Sequence, residues 1–228
     1  MNLDTEEKPQ LAKPTITAKV LVMNYIFYVA DIETTGLDSH THDIIEISLS
    51  RLGDTSENAQ RTWCLKPLTP ETIDPDALRI NGHKLEDLLH KTKEGRGRYQ
   101  DVDKVLVEIE NWLSDDGVPA EKRFLIGQNI GFDKERFDKL WVKSNSRDSY
   151  PFGRRMMDTM MNELFMDFCR GKFAEGYSLK NLGKKYGVKN DKAHSAAADV
   201  KATQEIFEKQ VEFMRKLIKL GEDAGLFD

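Results

Sequence analysis

The chain reads as an α/β protein in which a mixed β-sheet is flanked by helices. Three observations point there. A hydrophobic strand ending at Ala30 is followed by two more strand-like stretches, 43–52 and 61–66, joined by short turns as in an antiparallel meander. The apolar run 124–129 then passes straight into a helical pattern, a β-to-α alternation. Two long stretches, 102–113 and 195–220, repeat their apolar residues with the 3.6-residue period of a packed helix.

Taken in order, residues 1–18 are polar, include Pro9 and Pro14, and are expected to form a flexible tail. The remainder, 19–228, is expected to be one domain, since 228 residues suit a single well-buried core. The first strand, 25–30, leads into Asp31 and Glu33. Thr34, Thr35 and Gly36 then turn the chain, with Gly36 expected to supply a positive φ. Pro67 and Pro70 end the meander. Residues 74–90 have helical tendency interrupted by Asn81 and Gly82, and 91–98 reads as a mobile charged loop carrying Arg96 and Arg98. Val102, Val105, Leu106, Ile109, Trp112 and Leu113 form one helix face, which Gly117 and Pro119 terminate. A helix follows Phe132 and Asp133 to about Val142, and 144–153 is a polar loop. Asp158 is positioned to cap the next helix. Ser178 is positioned to cap a shorter one that stops at Gly187. The last helix would turn Val200, Ile206, Phe207, Val211, Met214 and Ile218 inward. Trp63, Trp112 and Trp141, and the methionines at 156, 157, 160 and 161, read as core.

Composition narrows the class of protein. Hydrophobic residues at 39% and charged residues at 32% describe a soluble globular chain, and no apolar run is long enough to span a bilayer. Cys64 and Cys169 have no metal-type spacing. With no export signal either, the expected location is the reducing cytoplasm. The net charge of −5 does not itself suggest a nucleic acid partner. Residues 170–193, however, carry seven Lys/Arg against Glu175 and Asp191, a local +5. Such a segment can be a phosphate-attracting face or simply a solvated one.

The chemistry concentrates in a few acids. In a strand, Asp31 and Glu33 project from the same face and Ile32 from the other. Two carboxylates so placed repel each other unless a cation or proton lies between them, although a strand ending in acidic turn residues would look the same. Asp133 follows another strand, where α/β sheets commonly place functional groups. His194 and Asp199 are five apart and cannot share one helix face. A histidine in the preceding loop and an aspartate in the first turns could still approach one point. Ala196, Ala197 and Ala198 would let that helix pack closely on the sheet.

Three segments carry a family resemblance: Asp31-Ile32-Glu33-Thr34-Thr35-Gly36-Leu37, Gly127-Gln128-Asn129-Ile130-Gly131-Phe132-Asp133, and His194-Ser195-Ala196-Ala197-Ala198-Asp199. Together, over about residues 24–215 and with Tyr177 to Leu182 between the second and third, they resemble the DEDDh-type 3′→5′ exonucleases of the DnaQ-like family. Gln128 departs from the histidine of many members and would help orient Asn129 or the substrate. The resemblance implies a ribonuclease H-like fold with a five-stranded mixed sheet. It implies two divalent cations, Mg²⁺ or Mn²⁺, held by Asp31, Glu33 and Asp199, with Asp133 acting mainly through water. Hard oxygen donors without thiolate suit those ions. His194 would be the general base, giving the catalytic set Asp31, Glu33, Asp133, His194 and Asp199. Thr34, Thr35, Gly36, Leu37 and Asn129 would contact substrate, with the 3′-hydroxyl near Glu33 and the Thr35 backbone and Leu37 against the terminal base. The implied activity is release of nucleoside 5′-monophosphates from 3′ ends of single-stranded or frayed DNA. The alternatives are an exoribonuclease or oligoribonuclease-like trimming enzyme and a proofreading subunit bound to a polymerase. A homodimer partner is known among relatives, and no membrane partner is expected.

Overall fold

In the computed structural model, residues 25–144 and 150–226 are described. The proposed tail at 1–18 lies outside them. Six strands form one sheet: β1 Ile26–Thr34, β2 Ile44–Arg51, β3 Gln60–Leu65, β4 Tyr99–Gln100, β5 Arg123–Gly127 and β6 Met156–Asp158, in the order β4-β3-β2-β1-β5-β6. β1, β2 and β3 are the antiparallel meander expected from their short connections, and β5 joins β1 in parallel, which makes the sheet mixed. The strand count exceeds the expected five. Two short edge strands, β4 on β3 and β6 on β5, widen the sheet.

The helices are α1 Pro75–Asn81, α2 Leu85–Leu88, α3 Lys93–Arg98, α4 Val102–Ser114, α5 Ile130–Lys143, α6 Thr159–Arg170, α7 Leu179–Tyr186 and α8 Ala196–Asp223. The two faces of β1 bury different sets. Tyr28, Ala30 and Ile32 join Val105, Leu106 and Ile109 of α4 and Phe137 and Leu140 of α5 in the main core. Val29 faces the other way, against Val200 and Phe207 of α8. The period-2 alternation therefore delivers Asp31 and Glu33 to the α8 side. Both lie inside β1, not beyond its end.

Several expectations are corrected. Residues 93–98 are helical: Thr92 caps α3 by accepting from the Gly95 N–H at 2.9 Å, and Arg98 reaches Glu46 instead of staying mobile. Met156, Met157 and Met161 are exposed. The inner face of α6 is polar instead, with Glu163 and Asp167 buried, and this turns Met161, Phe165 and Phe168 outward. Met214 and Ile218 are also exposed, because the 28-residue α8 outruns the sheet it crosses. The three tryptophans are buried, as expected. Among the described residues no helix is long and apolar enough to cross a membrane.

Candidate active site

Three carboxylates converge on one point. Single oxygens of Asp31, Glu33 and Asp199 all lie within 4.8 Å of one another. β1 supplies the first two on one face, and the first turn of α8 supplies the third where that helix lands on the sheet. Asp133 stands beside them, outside this three-oxygen group. It is buried in the first turn of α5, and its Oδ1 accepts the backbone N–H of Ile32 at 3.1 Å. An acid from another element is thus tied to the residue between Asp31 and Glu33.

The electrostatics follow from this crowding. Burial, followed by the charges of Asp133, Asp199 and Glu33, holds the Asp31 carboxyl well above the usual range. Glu33 is pushed up to about 8 by burial and then by Asp199 and Glu46. Asp133 is pushed up to about 8 by burial, against the pull of the Ile32 hydrogen bond. Asp199 is also raised, its burial outweighing hydrogen bonds from Asn190 and the His194 backbone. In each case burial leads, and for Asp31 and Glu33 the neighbouring carboxylates add to it. A divalent cation is the group such a site suits: its donors are hard oxygens, and positive charge there would relieve their repulsion.

His194 is exposed in the loop before α8, at a φ of 67°. Its N–H donates to Asp199 Oδ2 at 3.3 Å, so loop and helix share one aspartate. The opposite Asp199 oxygen accepts from Asn190 Nδ2 at 2.5 Å. Asn190 is a site residue that the motifs did not reveal; so is Asn81, which donates to the carbonyl of Thr34, the residue after Glu33, at 3.1 Å. Asn81 was legible only as a helix breaker, and Asn190 carried no signal.

The substrate-contact set divides. Leu37 is 83% exposed beside the acids, and its carbonyl accepts from the Arg136 guanidinium. Asn129 is exposed at a φ of 57° at the start of α5. Thr34 is buried, its hydroxyl bonded to the Gly36 carbonyl at 2.7 Å. The Thr35 backbone is committed internally: its N–H donates to Asp43 O at 2.9 Å and its carbonyl accepts from Asp74 N at 2.8 Å. Its N–H is therefore spent within the fold, while the carbonyl keeps a second lone pair. Gly36 does not take a positive φ. It is needed for close approach, because a Cβ there would lie 2.5 Å from the His42 ring. Gln128 is also corrected: its amide donates to Tyr177 O at 2.6 Å and accepts from the Thr159 hydroxyl at 2.6 Å, joining β5, α6 and the loop before α7.

Asp158 does more than cap α6. Its carboxylate accepts from Met160 N at 2.8 Å and also from Asn129 N and Ile130 N, each at 3.1 Å, so it anchors the start of α5 as well. In the basic segment, Arg170 and Lys185 are spent on the buried acids Glu163 and Asp167. Lys172, Lys180, Lys184, Lys189 and Lys192 remain exposed in the stretch of chain that leads to His194.

An α/β sheet with three acids gathered across β1 and α8 defines a carboxylate-centred nuclease fold. The exonuclease family model (RNase T) matches residues 28–207, and the chain belongs to that family. It is 28% identical over 207 residues to the PolC-type DNA polymerase III of Thermotoga petrophila, a match that covers 90% of this chain and 13% of that protein. The Staphylococcus aureus PolC-type enzyme is 27% identical over 201 residues, covering 87% and 12%. The chain therefore spans about an eighth of the length of these relatives. Among solved structures, E. coli exonuclease I in complex with a dT13 oligonucleotide is similar, with a TM-score of 0.63 and 19% identity over 87% of this chain and 43% of that one. Cell-death related nuclease 4 has a TM-score of 0.64 at 13% identity, covering 82% and 64%. Both share the fold.

Proposed function

We propose that the chain is a metal-dependent 3′→5′ exonuclease acting on single-stranded or frayed DNA ends, with residues 19–228 as one catalytic domain working in the cytoplasm. The observation that carries this reading is the meeting of Asp31, Glu33 and Asp199 oxygens within 4.8 Å. These three carboxylates would hold the divalent cations, Mg²⁺ or Mn²⁺ and two in number by the family resemblance. Cations so bound supply Lewis-acid stabilisation of charge on the reacting phosphate.

The protein groups have distinct tasks. Asp133 braces the Ile32 peptide and adds negative charge behind Asp31. His194, exposed next to Asp199, accepts the proton of the attacking water on an imidazole nitrogen. Water adds to phosphorus as the bond to the 3′ oxygen breaks, giving a nucleoside 5′-monophosphate and a strand one residue shorter. Leu37 offers an apolar surface to the terminal base, Asn129 and the Thr34–Gly36 turn line the same approach, and the exposed lysines preceding His194 attract the strand's phosphates. DNA is preferred because the neighbouring exonuclease I fold was solved with dT13.

A second reading is favoured by the PolC-type relatives, in which the matched segment is 13% of a polymerase. There the same site would proofread primer termini beside a polymerase. The testing experiment incubates 5′-labelled single-stranded DNA and its RNA counterpart with Mg²⁺ and either wild-type protein or Asp31→Ala. A descending DNA ladder from wild type alone is expected. Equal ladders from both proteins, or none from wild type, would remove the proposal, and faster loss of RNA would reassign the substrate.

A further inference from the structure

We propose that Glu46 is a positioning residue of the nuclease site, fastening the first turn of α8 so that Asp199 meets Asp31 and Glu33. This inference rests on reading those three acids as metal ligands. Glu46 is on β2, directly opposite Glu33 in the antiparallel pairing, and is only 4% exposed. Its two oxygens have separate partners. Oε1 accepts the Ala196 N–H at 3.0 Å, whereas Oε2 accepts from Arg98 Nη2 at 3.0 Å and lies 3.4 Å from His83 Nε2.

The Ala196 contact is the informative one. Ala196 is the first residue of α8, and its N–H is one of the donors that a helix leaves unsatisfied at its start. Ser195, at the N-cap position, makes no side-chain capping bond. Glu46 therefore supplies from the sheet the acceptor that is normally local, in an orientation the helix dipole favours. Asp199 lies less than one turn further on. A helix start released from Glu46 would carry Asp199 and the His194 loop away from β1.

The rest of the network holds Glu46 ready for that contact. Arg98 sets one carboxylate oxygen from α3. His83, whose Nδ1 is 2.6 Å from the Tyr99 hydroxyl, sets it from the loop after α1. Asn81, two residues before His83, reaches the carbonyl of Thr34 at the end of β1. Glu46 thus joins the segment that supports β1's end to the helix that supplies the third ligand. Supporting groups of this kind typically alter metal affinity or activity by about 10- to 100-fold.

The test compares Mn²⁺ binding in the absence of nucleic acid, followed by electron paramagnetic resonance of free Mn²⁺, in wild type, Glu46→Ala, Glu46→Gln and Ala196→Pro. Thermal melts and steady-state kinetics on single-stranded DNA accompany it. Proline suits the first helical position and removes the N–H, but its Cδ takes the place of that hydrogen and crowds Glu46 Oε1 as well, so wild-type Mn²⁺ affinity in this variant would be the stronger contradiction. Glu46→Ala and Ala196→Pro are expected to bind Mn²⁺ at least about tenfold more weakly and to lose kcat with little change in KM. Glu46→Gln, which keeps an acceptor oxygen, is expected to stay within about threefold of wild type. Wild-type affinity in either folded donor- or acceptor-deleted variant would overturn the proposal, as would equal losses in Glu46→Gln and Glu46→Ala. If Glu46→Ala fails to fold, Ala196→Pro and Glu46→Gln still decide it. Wild-type protein that binds no Mn²⁺ would instead overturn the metal-site reading beneath it.

Discussion

Asp133 accepts the Ile32 backbone N–H at 3.1 Å, which ties the first turn of α5 to the one residue that separates Asp31 from Glu33. The bond makes Asp133 both a brace and a charge. Asp133→Asn separates the roles, because an amide oxygen can still accept from Ile32. Nuclease turnover should fall about 10- to 100-fold while the melting temperature in chelator stays level or rises. A large fall in melting temperature would show that the charge itself is structural.

Crowded acids also predict how the metal-free protein responds to pH. Glu33 moves from 4.5 to about 8 on folding, Asp133 from 3.8 to about 8, and Asp31 and Asp199 are raised as well. The folded state then binds more protons than the unfolded state across that interval, so its stability falls as pH rises from about 4 towards 8. In chelator, the melting temperature should drop between pH 5.5 and 8.5, more steeply than in Asp31→Asn. Added Mn²⁺ should raise it more at the higher pH. A wild-type profile as flat as the variant's would contradict the shifts.

His194 separates proton transfer from metal holding. Its side chain is exposed, and its tie to Asp199 runs through the backbone N–H, which alanine retains. His194→Ala should therefore lower turnover by about 10² or more and leave Mn²⁺ affinity close to wild type. Unchanged turnover on DNA would remove it from the mechanism.

Asp158 offers a test of stability at two helix starts, one of which carries Asp133. It accepts N–H groups at the starts of both α5 and α6, so Asp158→Ala removes two caps at once. Losses of about 1 kcal/mol per cap amount to about 2 kcal/mol, or about 4 to 8 °C in melting temperature for a chain of this size. Asp158→Asn, which keeps an acceptor, should lose less, and thermal melts of both variants check this.

These residues also show what the sequence could and could not reveal. Asp31, Glu33, Asp133 and Asp199 were legible because each sits in a short segment whose period or capping position dictates where it points. The same local reasoning placed the meander, the β5 strand and the caps at Asp158 and Ser178. It failed where partners come from remote segments. Glu46 meets Ala196 from 150 residues away, Asn81 meets Thr34 from 47, and Asp158 reaches Asn129 from 29. α6 misled for a related reason. Its methionines read as core, but Arg170 at its own C-terminal end and Lys185 and Tyr186 of α7 engage Glu163 and Asp167, and so bury its polar face.

The central claim is that the Asp31–Glu33–Asp199 cluster directs metal-dependent hydrolysis at a 3′ end. It is tested most directly with single-stranded DNA whose last internucleotide phosphate is radiolabelled, followed over the first turnovers in Mg²⁺ and in chelator. Labelled nucleoside 5′-monophosphate is expected as the first product in Mg²⁺, with none formed in chelator. Labelled internal fragments, first release from the 5′ end, or equal release in chelator would contradict it.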